Sequence, residues 1–262
     1  MTRIALTIAG SDPSGGAGIQ ADLKTFHQRQ VYGTSVLTLL TVQNTQRVHK
    51  VEFLPPQLVA EQLDAVLEDL PPDAAKTGAL GNAEIIRVVA RKLGELGLPL
   101  VVDPVMISKH GAQLIAEEAR SVMIECLFPL ASLVTPNLNE AAALSGMPVR
   151  DLATMQQAAI KIAGSGACAV LIKGGHLTGD AVDLLYWKGE FRQYSACRID
   201  TVHTHGTGCT YSAAITAELA KGQDLPEAVA IAKRFITEAI RTSPHIGKGI
   251  GPVNHHAEID HL

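Results

Sequence analysis

Long apolar runs are missing from this 262-residue chain, and no stretch reaches the length that crosses a membrane. No apolar segment follows a basic one near the N-terminus, so a secretory leader is not expected. A basic block is missing too: 22 Lys and Arg stand against 26 Asp and Glu, for a net charge of −4. Nucleic-acid binders depend on clustered cations, so that class is set aside. The four cysteines, Cys126, Cys168, Cys197 and Cys209, are widely spaced and form no Cys-x-x-Cys pair. That fits neither a disulfide framework nor a zinc site. Cys126, Cys168 and Cys197 read as small buried hydrophobes. No Gly-x-x-x-x-Gly-Lys-Ser/Thr occurs, which sets aside a Walker-type ATPase. The expectation is a cytoplasmic protein with reduced thiols and no nucleic-acid or membrane partner.

What is present is alternation. The apolar share, 47%, is enough for a sizeable core. Strand-sized runs at 4–9, 36–42, 74–77, 99–102, 132–135 and 168–172 alternate with helical periodicity at 19–30, 57–70, 83–96, 139–144 and 155–164. A hairpin is expected at 183–187 and 190–194, turning at Lys188-Gly189. Two helices follow at 211–221 and 226–242, and the tail from Ser243 is expected to cover the site or fray. No linker or repeat divides the chain, so 1–262 reads as one domain with a mostly parallel sheet covered on both faces. Polar and Gly-rich segments cluster just after the strands: Gly10–Gly18, Gln43–Thr45, Asp103–Lys109, Asn137–Glu140 and Lys173–His176. In such sheets ligands bind outside the carboxyl ends of strands.

The most informative segment is Thr204-His205-Gly206-Thr207-Gly208-Cys209-Thr210, which runs into an Ala-rich helix. Glycines at a helix start leave backbone N–H groups free for an anion such as phosphate. Cys209 sits in the first turn, where the helix should lower its pKa and a bound phosphate would raise it again. The loop Ser11–Gly18 formally matches a dinucleotide fingerprint at Gly16, Gly18 and Ala21. The acidic residue that fingerprint needs after the next strand is missing, which leaves a small-substrate loop or a structural turn. Gln43 offers an amide donor and acceptor side by side, suited to a heterocycle, although a strand-to-turn junction would also use this segment. Asp103, Asn137 and Glu140 are oxygen ligands suited to Mg²⁺; Asn137 and Glu140 have equally the spacing of a helix cap. Lys173 at a strand end can reach a phosphate, or be an exposed turn lysine. His203 and His205 lack a third ligand and read as polar filler.

These segments together resemble the hydroxymethylpyrimidine/phosphomethylpyrimidine kinases of thiamine biosynthesis, in the ribokinase-like superfamily. The resemblance is carried by Ala5–Asp12, Gly18–Lys24, Gln43-Asn44-Thr45, Lys76-Thr77-Gly78, Val102–Met106, Thr135-Pro136-Asn137, Lys173–His176 and Thr204–Cys209, in that order. It implies a three-layer α/β/α sandwich, usually a homodimer, that phosphorylates the pyrimidine's hydroxymethyl group and then that monophosphate. It implies an anion hole at Gly206, Thr207 and Gly208, with Cys209 where ribokinase has an aspartate base. Gln43 would bind the pyrimidine, with Asp22, Gly10, Val105 and Ala79 near it. Lys173, Asn137 and Lys109 would serve ATP, and Glu140 and Asp103 would hold Mg²⁺, mostly through water. A monovalent cation is a further group the resemblance leaves room for. Two positions depart from the pattern: Ala79 where many members have Met, and His110 where many have Ser. The rival readings are a pyridoxine/pyridoxal kinase of the same superfamily, a non-catalytic pyrimidine sensor and, more distantly, a nicotinamide oxidoreductase.

Overall fold

A computed structural model describes residues 2–106, 115, 117–175 and 179–259. Its strands are β1 (Ile4–Ser11), β2 (Tyr32–Gln43), β3 (Val48–Phe53), β4 (Ala74–Thr77), β5 (Leu100–Val102), β6 (Leu133–Val134), β7 (Ala169–Ile172), β8 (Ala181–Trp187) and β9 (Glu190–Ala196). Its helices are α1 (Gly18–Gln28), α2 (Pro56–Asp69), α3 (Ala83–Gly94), α4 (Glu117–Cys126), α5 (Leu138–Ser145), α6 (Leu152–Ala163), α7 (Thr207–Ala220) and α8 (Leu225–Arg241). All strands join one sheet in the order β3-β2-β1-β4-β5-β6-β7-β8-β9. The six from β2 to β7 run parallel, and β3, β8 and β9 close the edges antiparallel.

The central strands are apolar on both faces because both are covered. Leu100 and Val102 pack with α2 to α6, while Val101 between them packs against α7 and α8. Val170 and Leu171 divide the same way. Each large side chain fully buried in this manner contributes about 1.5–3 kcal/mol. Helix α1 lies on the α7 side, where Phe26 meets Ala5, Ala74, Ala213 and Ala217. The three-layer α/β/α sandwich is therefore as expected, and its parallel strands send their carboxyl ends to one edge. That edge gathers Asp12 after β1, Gln43 of β2, Gly78 and Ala79 after β4, Asp103 after β5, Thr135 to Asn137 after β6 and Lys173 after β7.

Several expectations are corrected. Strand β3 and helix α4 occupy stretches read as connections. Helix α7 starts at Thr207, four residues before the expected Tyr211, so Gly208 and Cys209 lie inside its first turn. Cys168 and Cys197 are exposed and Cys126 is half-buried, so none of the three is a buried hydrophobe. Of the two alternatives for the tail, its described part is tied down: Ile250 donates its N–H to the Thr45 carbonyl, and Val253 to that of His205. Among the described residues, no helix is long and apolar enough to cross a membrane.

Candidate active site

The start of α7 is open. Its N-cap is Gly206 at φ +78°, and no side chain caps the helix. A Cβ on Gly206 would stand 1.7 Å from the Gly16 carbonyl oxygen, so both the left-handed backbone and the close approach require glycine. The first-turn amides of Gly208 and Cys209 have no intrahelical acceptor, by the geometry of any helix start. A Cβ on Gly208 would meet the Lys173 ammonium at 3.3 Å and an Asp103 carboxylate oxygen at 3.8 Å. The helix start thus looks straight onto the charges at the ends of β5 and β7.

Those charges hold one another. Lys173 Nζ donates to Asp103 Oδ1 at 3.0 Å, and Thr135 Oγ1 donates to the same oxygen at 3.2 Å. Ser212 of α7 donates to Asp103 Oδ2 at 3.2 Å. Burial works against the Asp103 charge, yet Lys173 and Lys76 outweigh it and hold the carboxyl below its usual range. Burial likewise opposes the charge on Lys173, but Asp103 and Glu140 keep it firmly protonated. The Lys173–Gly174 turn is fixed from behind, because the Gly174 N–H donates to Asp183 at 2.9 Å and Lys233 pairs with the other Asp183 oxygen at 2.7 Å.

Asp22, which the resemblance sets near the pyrimidine, has partners from its own chain on both oxygens. It is fully buried, with Lys76 Nζ on one oxygen at 2.7 Å and Thr7 Oγ1 on the other at 2.6 Å. Register explains the grouping, since Thr7 of β1 sits beside Lys76 of β4 on the face that α1 and α7 cover. In sequence Lys76 stands out only within the Lys76-Thr77-Gly78 segment. A lysine inside the apolar strand Ala74-Ala75-Lys76-Thr77 is the signal that marks a buried charge. Burial opposes its ionisation, but the carboxylates of Asp22 and Asp103 hold it charged.

The Cys209 thiol contradicts the helix-start argument. Burial, with Asp22 and Asp103 adding to it, pushes it up to about 11. Lys76 and the Gly18 N–H pull the other way and lose. The thiol is therefore protonated at neutral pH.

Asn137 and Glu140 take the capping alternative in full. The Glu140 N–H donates to Asn137 Oδ1 at 3.0 Å, and the Asn137 N–H donates to Glu140 Oε2 at 2.8 Å. The cap also brings Glu140 toward Lys173 and Asp103, because Asn137 bridges to Lys173 beyond the ends of β6 and β7. Burial, reinforced by Asp103, raises the Glu140 carboxyl to about 7 despite Lys173 and two backbone N–H groups. A carboxyl held up by burial and a like charge is one that a divalent cation would relieve, so Asp103 and Glu140 fit Mg²⁺. Among the described residues no group of three His, Cys, Asp or Glu could hold a metal ion. Lys109, His110 and His176 lie outside the described residues.

The other half of the site surrounds Gln43. It is half-buried at the end of β2, and its amide helps to stabilise the Asp12 carboxylate. Gly10 is buried at the end of β1, and a Cβ there would stand 2.4 Å from a Leu39 methyl. Ala79 is half-buried and accepts from Thr38 Oγ1 at 2.6 Å through its carbonyl; Val105 is half-buried after β5. His205, expected to be filler, is buried with Nε2 2.7 Å from Asp12 Oδ2.

The chain as a whole has known relatives. The model of the family described as phosphomethylpyrimidine kinase matches residues 12–254. The chain is 53% identical over 252 residues to the thiamine biosynthesis bifunctional protein ThiED of Geobacter sulfurreducens, covering 95% of this chain but only 51% of that longer protein. It is 48% identical to the hydroxymethylpyrimidine/phosphomethylpyrimidine kinase of Bacillus subtilis, covering 97% of this chain and 94% of the relative. A crystal structure of Bacillus subtilis pyridoxal kinase with ADP superposes at a TM-score of 0.91 and 43% identity, covering 98% of each chain. A helix start facing paired lysines and carboxylates at the strand ends, a family model spanning nearly the whole chain and full-length relatives near half identity lead to one conclusion: the chain belongs to the phosphomethylpyrimidine kinase family.

Proposed function

We propose that the protein transfers the γ-phosphoryl group of ATP to the hydroxymethyl oxygen of 4-amino-5-hydroxymethyl-2-methylpyrimidine. It then phosphorylates the monophosphate to the diphosphate, for thiamine diphosphate synthesis. The observation that carries this reading is the uncapped start of α7 aimed at Lys173 and Asp103. In the first transfer the hydroxymethyl oxygen bonds to the γ-phosphorus and the bond to the bridging oxygen breaks, releasing ADP. The amides at Gly206 to Cys209 take the charge of the transferring group, and Lys173 neutralises ATP phosphate. Asp103 and Glu140, steadied by Asn137, would hold Mg²⁺, which supplies charge neutralisation on the phosphate oxygens.

Gln43 presents donor and acceptor to the amino group and ring nitrogen of the pyrimidine. Asp22 acts on the site through Lys76. With its thiol pushed up to about 11 by burial, Cys209 is protonated for most of the time at pH 7. The loose transition state lets positioning and neutralisation outweigh base strength, and the alcohol proton leaves late, to the Cys209 sulfur acting as thiolate. In the second transfer the acceptor is a phosphate oxygen that is already ionised, so no proton needs removing.

Pyridoxal kinase is the second reading, favoured by the 0.91 superposition. ATP consumption against hydroxymethylpyrimidine, its monophosphate and pyridoxal separates the two. Turnover of both pyrimidines above pyridoxal is expected, and turnover of pyridoxal alone would reverse the assignment. We propose a homodimer as well, supported by the exposed Leu40, Val42 and Phe53 on the β2–β3 edge. Sedimentation at the monomer mass would end that part.

A further inference from the structure

The loop after β1 and the loop before α7 meet at one buried pair, Asp12 and His205, 193 residues apart in sequence. Asp12 is 2% exposed and His205 is 4% exposed. One Asp12 oxygen accepts from the Ser14 N–H at 2.8 Å and the Ser14 hydroxyl at 2.7 Å. The other accepts from the Ala17 N–H at 2.8 Å and lies 2.7 Å from His205 Nε2. Burial works to raise the Asp12 carboxyl, but His205, Ser14 and Gln43 hold it well below the usual range, so it is an anion throughout. His205 is pinned by its backbone as well: its N–H donates to Gly251 at 3.0 Å, and its carbonyl accepts from Val253 at 3.2 Å. A Cβ on Gly16 would stand 2.5 Å from the His205 ring, so the two loops are in full contact.

The neighbours of this pair give it a function beyond packing. His205 immediately precedes Gly206, the N-cap of α7. Asp12 follows the end of β1 and is touched by the amide of Gln43. One side of the pair therefore carries the phosphate end of the site, and the other carries the pyrimidine end. We infer that Asp12 and His205 are positioning residues, whose pair locks the pyrimidine-side loop to the phosphate-side helix start and so fixes the distance between acceptor oxygen and γ-phosphorus. The inference rests on the kinase reading for its substrate and on the two loops alone for its geometry. A buried pair is seldom the most stabilising choice at such a place, whereas it does specify one arrangement.

The test uses His205→Leu, which fills the volume without the donor, His205→Gln, which returns a donor at similar reach, the isosteric Asp12→Asn, and the Asp12→Asn/His205→Leu double. His205→Leu should lower kcat about 10²-fold, the cost of an ångström-scale misplacement, with KM for ATP within about threefold. His205→Gln should recover most of that loss. The double should be no worse than the poorer single, as for two members of one interaction. Wild-type kcat in His205→Leu, or additive losses in the double, would overturn the inference. Amide hydrogen exchange supplies a readout independent of substrate. Asp12→Asn should speed exchange at residues 204–209 by more than its loss of global stability accounts for, with amides elsewhere following the global change. Unchanged protection there would overturn the lock even if the kinase reading stood, and an inactive wild type with faster exchange in the variant would sink only the kinase reading.

Discussion

Two glycine-bearing loops lead into helices on the same face of the sheet; in sequence the first formally matches a dinucleotide fingerprint and the second is the anion cradle. The loop before α1 is already filled. Its Ser14 and Ala17 amides point at the protein's own Asp12 carboxylate, and the Gly18 N–H points at the Cys209 sulfur. The loop before α7 is left open, with Gly206 as an uncapped start and a lysine and a carboxylate facing Gly208. A Gly-rich helix start is therefore not in itself a phosphate site. What decides is whether the chain supplies the anion or leaves it to the ligand. In the first loop the glycines serve close packing: a Cβ on Gly18 would stand 2.3 Å from the Gly10 carbonyl. In the second, Gly208 keeps clear the space in front of Lys173.

The comparison predicts that damage to the open loop costs activity and damage to the filled loop costs stability first. The largest effect belongs to Gly208→Ala. The added methyl enters the cradle, and kcat/KM should fall about 10²- to 10³-fold, as when an oxyanion donor is lost. Tm should hold or rise, since alanine is the better helix former. Loss of both together would mean that Gly208 is structural. Cys209→Ala should lower kcat about 10²-fold on the alcohol but much less on the monophosphate, which has no proton to give up. Equal losses on both acceptors would assign the thiol to shape alone.

Asp12→Ala empties the filled cradle. It leaves the Ser14 and Ala17 amides without their acceptor and should cost about 1–3 kcal/mol by denaturant titration. Gln43→Ala should raise KM for the pyrimidine up to about tenfold and leave that for ATP alone. An effect confined to ATP would place Gln43 at the wrong end of the site.

The smallest effect is on the metal. Glu140 has its carboxyl raised to about 7, so protons compete with Mg²⁺ below that pH. Mg²⁺ affinity in the presence of ADP, measured by calorimetry, should fall roughly tenfold from pH 8 to pH 6. Affinity independent of pH over that range would remove Glu140 from the cation site.

Much of the fold was legible because parallel strands buried on both faces read as short continuous apolar runs. Strand β3 was not, since Val48-His49-Lys50-Val51-Glu52-Phe53 is a polar edge strand with largely exposed residues. The start of α7 was misplaced because Gly206-Thr207-Gly208 reads as loop until tertiary contacts hold the N-cap. The strand-end residues Gln43, Asp103, Asn137, Glu140 and Lys173 were legible by type and position. The buried members were harder to see. Asp22 reads as a ligand residue, and its pairing with Lys76 and Thr7 is a tertiary contact that the sequence alone does not display. His205 seemed filler because its partner Asp12 lies in another loop. The Cys209 thiol needed the distribution of Asp22, Asp103 and Lys76 around it, which no single-helix argument contains.

The most direct test of the central claim is an amide NMR titration with a non-hydrolysable ATP analogue, Mg²⁺ and hydroxymethylpyrimidine. The account predicts large shifts at the amides of Gly206, Thr207, Gly208 and Cys209, and little change at Ser14 and Ala17, whose acceptor is already in place. Shifts at Ser14 and Ala17 with the α7 start unmoved would contradict it.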